Sequence, residues 1–428
     1  MVASANKTLT TKTPQPLDLN LSPGEVAAAL QHLPEMVFFD SAGNIPSRSS
    51  SPVSIIAARP VEILRGDIKN LTQLRQSIAQ YQIHTPSIGF PAGGACGWID
   101  YEGSYCFGIY PEMLIYQHDR AQWWQCGNLA PEIDSGRPKP RPPVLGKFTS
   151  SMSQADYQFG VQRIHEYIAA GDIYQANLTQ HFSCPVQGGS LFPLYQKLRE
   201  ITPAPLAAWL QLGEREILSS SPETFLRMSG RNIETLPIKG TRPRGDTEAA
   251  DRSFARELVE SPKENAELTM ITDLERNDLG QVCEFGTVRV TDMLTLEKLE
   301  QVYHLVSTVT GTLRNDIDHL DALAACFPGG SITGAPKKRA MEIIAELEPV
   351  ARGLYTGALG YIGFNGESQL SIPIRTLVRE HHKLHYHVGA GIVADSDPAA
   401  EYQETLDKAK GIRLAIEQFL GNQGNSPE

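Results

Sequence analysis

Two pairs of glutamates carry a spacing that could do chemistry. Glu264 and Glu267 lie three residues apart in one segment, and Glu401 and Glu404 three apart in another. On helices, each pair would share a face. Two such faces turned together would offer four carboxylates to one hard cation. Mg2+ prefers oxygen ligands, keeps several waters and often bridges to an anionic substrate. Taken alone, the spacing suits two solvated helix faces better. A second candidate is Lys239 in PIKGTRPRG, with Arg242 and Arg244 close behind. A lysine amine is almost wholly protonated near neutral pH. Neighbouring cations and burial both favour the neutral, nucleophilic form. In isolation the stretch reads as a basic surface turn.

Glycine marks two further places. PGGSITGAPKKRAMEIIAELEP joins a Gly-rich turn to an amphipathic helix. Helix starts expose free N–H groups and partial positive charge, which suit a carboxylate or phosphate. Gly389-Ala390-Gly391 would let backbone approach a ligand closely. Each feature alone is more often a packing device.

These residues need elements to hold them. Ser153 to Ala170 has helical periodicity, and Asp172 to Val186 reads as a strand. Residues 216–240 read as strands broken at Ser221-Pro222 and Ser229-Gly230. Helices are expected over Asp251 to Leu274, Thr333 to Glu348 and Ala399 to Leu420. Near the end, ALGYIGF, SQLSIPIRTLVRE and KLHYHVGAGIVA are joined by Asn365-Gly366 and His381-His382. Asn-Gly between apolar runs signals a hairpin, so an antiparallel meander is expected. In the N-terminal part, MVFFD, PVSIIAARPVEIL and GFPAGGACGWIDYE suggest strands and a Gly-rich turn. Strands and helices do not alternate as βαβ units, which indicates an α+β fold with antiparallel sheets. A Pro-rich stretch, Pro131 to Pro143, reads as a linker.

Composition narrows the function. The 428 residues are 41% hydrophobic and 20% charged, a soluble globular balance. No apolar run is long enough for a membrane span. The polar N-terminus lacks a secretory core and reads as a loose tail. The six cysteines have no zinc-ligand spacing and need form no disulfides, which suits the cytoplasm. A net charge of −11 without a basic run argues against nucleic acid or anionic lipid as main partner.

Taken together, several segments resemble the chorismate-utilising enzymes. Members include anthranilate synthase component I, aminodeoxychorismate synthase component I, isochorismate synthase and salicylate synthase. The motifs are SSSPETF, PIKGTRPRG, ELTMITDLERNDLG, VYHLVSTVTG, PGGSITGAPKKRAM, RGLYTGALGYI and GAGIVADSDPAAEYQETLDKA. They run from about Gln154 to the C-terminal helix, and the N-terminal part matches more loosely. The resemblance implies two packed antiparallel sheets flanked by helices. It divides the chain into a tail (1–16), an N-terminal region (17–145), a chorismate-binding catalytic region (146–421) and a second tail (422–428).

Roles follow from the resemblance. Glu267 and Glu404 match magnesium ligands, and Glu264 and Glu401 match nearby carboxylates of that site. His304 matches a histidine near the ring substituent that leaves, and Ser331 a hydroxyl near the ring hydroxyl. Tyr355 and Arg375 match residues that hold the enolpyruvyl carboxylate, a task suited to guanidinium. Gly389 and Gly391, with Ala390 between them, match backbone contacts to substrate. Gly240 and Thr241, beside Lys239, join that substrate-binding group. Glu223 in SPETF matches a general acid or base.

Two positions divide the family. Gln175 stands where isochorismate and salicylate synthases carry a water-activating lysine, and glutamine is no useful base. Ammonia is left as nucleophile. Lys239 fits the PIKGT of aminodeoxychorismate synthases rather than the PIAGT of anthranilate synthases. The implied reaction is covalent, amine to ring and then ammonia for amine, in folate precursor synthesis. The rivals are an anthranilate synthase, which also eliminates pyruvate, and a non-catalytic ligand-binding relative. Gly94-Ala95-Cys96-Gly97-Trp98 falls short of a glutaminase G-x-C-x-G turn. Ammonia is therefore expected from a separate glutaminase subunit. Ser47-Arg48-Ser49 lies where the family often has a tryptophan pocket, so tryptophan is a candidate ligand of the N-terminal region.

Overall fold

Side-chain alternation in the strand Lys383–Ile392 shows how the layers are built. Leu384, Tyr386 and Val388 enter one apolar cluster, and Ala390 and Ile392 another, both formed with helices. His387, Gly389 and Gly391 face the opposite side. A strand covered on both faces belongs inside a layered fold. The computed structural model describes residues 13–41, 52–83, 88–133, 141–299 and 302–423. Among these, antiparallel sheets of 13 and 10 strands pack face to face. Phe39, Ile55, Trp98, Ile217, Leu359 and Tyr361 fill the space between them. Helices Phe192–Ile201 and Lys410–Gln423 cover the outside of the larger sheet. Helices Thr72–Gln80 and His319–Cys326 cover the smaller one. The fold is α+β, two packed antiparallel sheets flanked by helices.

Several expected elements form, with local differences. The helix Gln154–Ala169 starts at a capping box between Ser153 and Asp156. The span Asp251 to Leu274 is two helices, Glu248–Glu260 and Pro262–Gly280. Pro262 lacks an N–H and clashes within a helix, so it starts a new one capped by Ser261. The span Ala399 to Leu420 also divides, into Pro398–Lys408 and Lys410–Gln423. The helix expected from Thr333 begins at Lys337, because Gly334 and Ala335 pair as a strand with Ala176 and Gln175.

The expected meander is split between the sheets. Strands Ala358–Gly363 and Glu367–Ser371 form the Asn365-Gly366 hairpin in the smaller sheet. Strands Thr376–Glu380 and Lys383–Ile392 form the His381-His382 hairpin in the larger one. Between them the chain crosses at Pro373, which cannot donate to a ladder. Arg375 completes the crossing with φ +51.

Both sheets draw strands from either side of Pro131 to Pro143, of which 134–140 lie outside the described residues. Gln15–Leu17 pairs with Gln122–Cys126, so the expected N-terminal tail ends earlier than residue 16. Likewise the last helix runs to Gln423, into the expected C-terminal tail. Ser47-Arg48-Ser49 lies outside the described residues. No described helix is long and apolar enough to cross a membrane.

Candidate active site

A cavity of about 870 Å³ collects the residues that the motifs singled out. One wall is the strand pair Ile238–Pro243 and Val302–Thr312. Their register slips at Gly240, which adopts φ +73. This bulge sets both Lys239 and Thr241 on the cavity. Thr241 Oγ1 lies 2.9 Å from His304 Nδ1. His304 is 1% exposed, and its Nε2 has no protein partner. Burial, then the Arg375 guanidinium, push its pKa down to about 3, so the ring stays neutral.

Glu223 follows the strand Arg215–Ser221, where Pro222 interrupts the ladder. It is 5% exposed, and its Oε1 also lacks a partner. Burial raises its pKa, tempered by the nearby Ser331 hydroxyl and the Lys239 ammonium. Arg375 enters from the crossing segment, and burial lowers its pKa. Its left-handed backbone is costly for a residue with a Cβ and is held by the two sheets it joins. Opposite, Gly389 and Gly391 present backbone from the Lys383–Ile392 strand. A Cβ on Gly389 would lie 2.6 Å from Thr179 Cγ2, and one on Gly391 2.7 Å from Gln175 Nε2. Tyr355 stacks on His387 at 5.3 Å between ring centres.

The acidic helices meet at the cavity mouth. Glu264 and Glu267 of Pro262–Gly280, and Glu404 of Pro398–Lys408, line it. Glu267 Oε2 lies 3.9 Å from Lys239 Nζ, and its Oε1 3.9 Å from Lys263 Nζ. Burial raises the Glu267 pKa, against the pull of both lysines. For Glu404 burial also pushes upward, but Lys408 at 2.8 Å, with Lys263 and Lys239, holds its pKa below the usual range. Glu401 stands behind the wall, 3% exposed, with Ser396 at 2.7 Å and Lys263 at 3.4 Å. Its Oε2 has no partner.

Three expectations need correction. Ala390 turns its side chain away from the cavity into the cluster with Tyr157 and Val161, as strand alternation requires. Arg242 and Arg244 are not free cations beside Lys239, because each is paired with carboxylates. Arg242 pairs with Glu257 and Glu264, Arg244 with Asp251, and the neighbour of Lys239 is a carboxylate. The Gly-rich turn does not open a helix onto the cavity. Ser331 and Ile332 line it from a separate short turn, and the Lys337–Leu347 helix starts beyond.

The donor set suits a hard cation: carboxylates from two helices, one with an orphaned buried oxygen. A cation already spans those helices, since Lys263 reaches both Glu267 and Glu401. Among the described residues, no three His, Cys, Asp or Glu groups close into a metal-holding cluster. Each of the four carboxylates instead has a lysine or arginine beside it.

Residues 102–413 match the chorismate binding enzyme family. The chain belongs to that family. Among its relatives, an anthranilate synthase component 1 of Haloarcula marismortui is 47% identical over 276 residues, 64% of this chain and 56% of that protein. An aminodeoxychorismate synthase component 1 of Bacillus subtilis is 43% identical over 335 residues, 73% of this chain and 70% of that protein. The chain thus spans a little over half of the former relative's length. A crystal structure of anthranilate synthase component I from Streptococcus pneumoniae superposes with a TM-score of 0.73 at 28% identity, covering 86% of this chain and 93% of that one.

This member of the family has further supports around the cavity. Arg352 is 1% exposed and pairs with Glu348 at 2.8 Å. It donates to the carbonyls of Ile332 and Asn177, and its guanidinium lies over Tyr101. It stands in RGLYTGALGYI, from which only Tyr355 had been taken. Lys408, four residues after Glu404, and Lys263, four before Glu267, were legible from helix spacing.

Proposed function

We propose that this chorismate-binding enzyme is an aminodeoxychorismate synthase component I. It would replace the carbon 4 hydroxyl of chorismate with an amino group in folate precursor synthesis in the cytoplasm. The observation that carries the reading is Lys239, whose amine faces the cavity with only 16% of the side chain exposed. PIAGT chains would present a methyl group there.

After its ammonium gives up one proton to solvent, the lone pair of the Lys239 amine adds at carbon 2 of the ring, and the resulting secondary ammonium loses a second proton. Both ring double bonds shift by one position, and the carbon 4 hydroxyl leaves with a proton as water. Ammonia then adds at carbon 4, the double bonds shift back, and the amine departs from carbon 2. Burial raises the Glu223 pKa, which supports it as proton donor to the leaving hydroxyl. His304 stays neutral and offers Nε2 as a hydrogen-bond partner. Arg375 and Tyr355 would hold the enolpyruvyl carboxylate, and the backbone of Gly389 and Gly391 would lie along the substrate. Glu264, Glu267, Glu401 and Glu404 would hold Mg2+. When bound, Mg2+ offsets the charge of the ring carboxylate and orients it.

Ammonia would come from a separate glutaminase subunit. Cys96 supports this, because it lies buried within the strand Gly94–Ile99 and burial raises its thiol pKa. The test combines purified protein, chorismate, Mg2+ and an ammonium salt, with the product identified by mass. Aminodeoxychorismate is expected, and Lys239→Ala should abolish its formation even at high ammonia. A fluorescent aromatic product formed without an added lyase would instead identify an anthranilate synthase.

A further inference from the structure

One more buried carboxyl lies beside the cavity without a role so far. Glu275 sits on Pro262–Gly280, the helix that carries Glu264 and Glu267. It is 3% exposed, and its Oε1 accepts the Gly330 N–H at 3.0 Å. Gly330 opens the short turn Gly330–Ile332, which sets Ser331 on the cavity wall. Three residues along the helix, Asp278 receives Lys337 Nζ at 2.6 Å. The same ammonium donates to the Cys326 carbonyl at 3.0 Å. Lys337 therefore ties both ends of the 326–337 segment to the helix, and Glu275 holds its middle. The fit is close: a Cβ on Gly330 would lie 2.6 Å from Leu274 Cδ2 and 3.1 Å from Glu275 Oε1.

We propose that Glu275 is a positioning residue: its carboxyl oxygen, as hydrogen-bond acceptor, fixes the Gly330–Ile332 turn and so holds Ser331 beside Glu223 and the substrate ring. The inference rests on the reading that the cavity takes chorismate. The role requires an acceptor and not a charge. Burial, then Asp278, push the Glu275 pKa up to about 8. Near neutral pH the carboxyl is largely protonated and still accepts through its carbonyl oxygen.

Glu275→Gln keeps an acceptor, while Glu275→Met fills a similar volume without one. Chorismate consumption is measured for both. The Gln variant should stay within about threefold of the parent, and the Met variant should lose about tenfold in kcat with KM little changed. In a Ser331→Ala background, Glu275→Met should cause no further loss. Amide hydrogen exchange at residues 330–333 should quicken in the Met variant only. Full kcat in the Met variant, equal losses in both variants, or an undiminished effect without the Ser331 hydroxyl would each overturn the proposal. If the parent leaves chorismate untouched, the reading of the cavity falls, and exchange decides alone. Unchanged exchange in the Met variant then removes the anchor, and faster exchange in that variant only retains it.

Discussion

Histidine 304 illustrates how far a side chain's surroundings can reverse what its type suggests. A free imidazole titrates near neutrality, yet here burial and Arg375 keep it neutral. His181 and His385 are likewise pushed down to about 4, first by burial. The unfolded chain binds protons near pH 6.5 that the folded chain refuses. Stability from these groups is therefore present above that pH and falls as pH drops toward 4, by at most about 1.4 kcal/mol per pH unit for each. Glu275 acts in the opposite sense, since its raised carboxyl favours the folded state at low pH. Urea unfolding at pH 7 and pH 5, compared between parent and His304→Gln, isolates the histidine. The variant should lose less stability on acidification than the parent. For catalysis, no rate limb near pH 6.5 should trace to His304.

At the scale of elements, two devices bring the site together. The first is the bulge at Gly240. A Cβ there would lie 2.6 Å from Leu258 Cδ1 and 3.0 Å from Glu264 Cδ, on a backbone already at positive φ. Gly240→Ala should cost about 1–2 kcal/mol in urea unfolding. It should also lower kcat, because Lys239 moves with the strand. The second device is Lys263, which joins the two acidic helices. A divalent cation would compete with its ammonium. Lys263→Met should tighten Mn2+ binding about fivefold by calorimetry, since a half-exposed pair is worth about 1 kcal/mol. Unchanged or weaker binding would refute that competition.

Across the whole molecule, Arg352 is a joint between layers. It precedes the strand Ala358–Gly363 of the smaller sheet and reaches Asn177 in the strand Gln175–Gln187 of the larger one. Its charge is buried with Glu348. Arg352→Met would leave that carboxylate unpaired and should cost about 3–5 kcal/mol in urea unfolding. Chorismate consumption should fall as well, because Ile332 and Thr356 adjoin Ser331 and Tyr355 and both lose their contact with Arg352.

Local sequence determined much of this protein. The strand alternation around His387 and Gly389, the Ser153 cap, the Asn365-Gly366 hairpin and the shared face of Glu264 and Glu267 are set by neighbours within a few residues. Such short-range physics is legible in one chain, as were the motifs that mark the family. Only tertiary structure decided what lies next to what. Arg242 and Arg244 adjoin Lys239 in sequence, yet acidic partners from helices pair with both, and the carboxylate of Glu267 lies beside the lysine. The final strands look like one meander, yet Pro373 and Arg375 carry the chain from one sheet to the other and so place a guanidinium in the cavity. Glu275 meets Gly330, 55 residues further along the chain, only in the folded protein. Spacing along a chain sets the face a residue presents, but long-range packing selects the charge or amide that it meets.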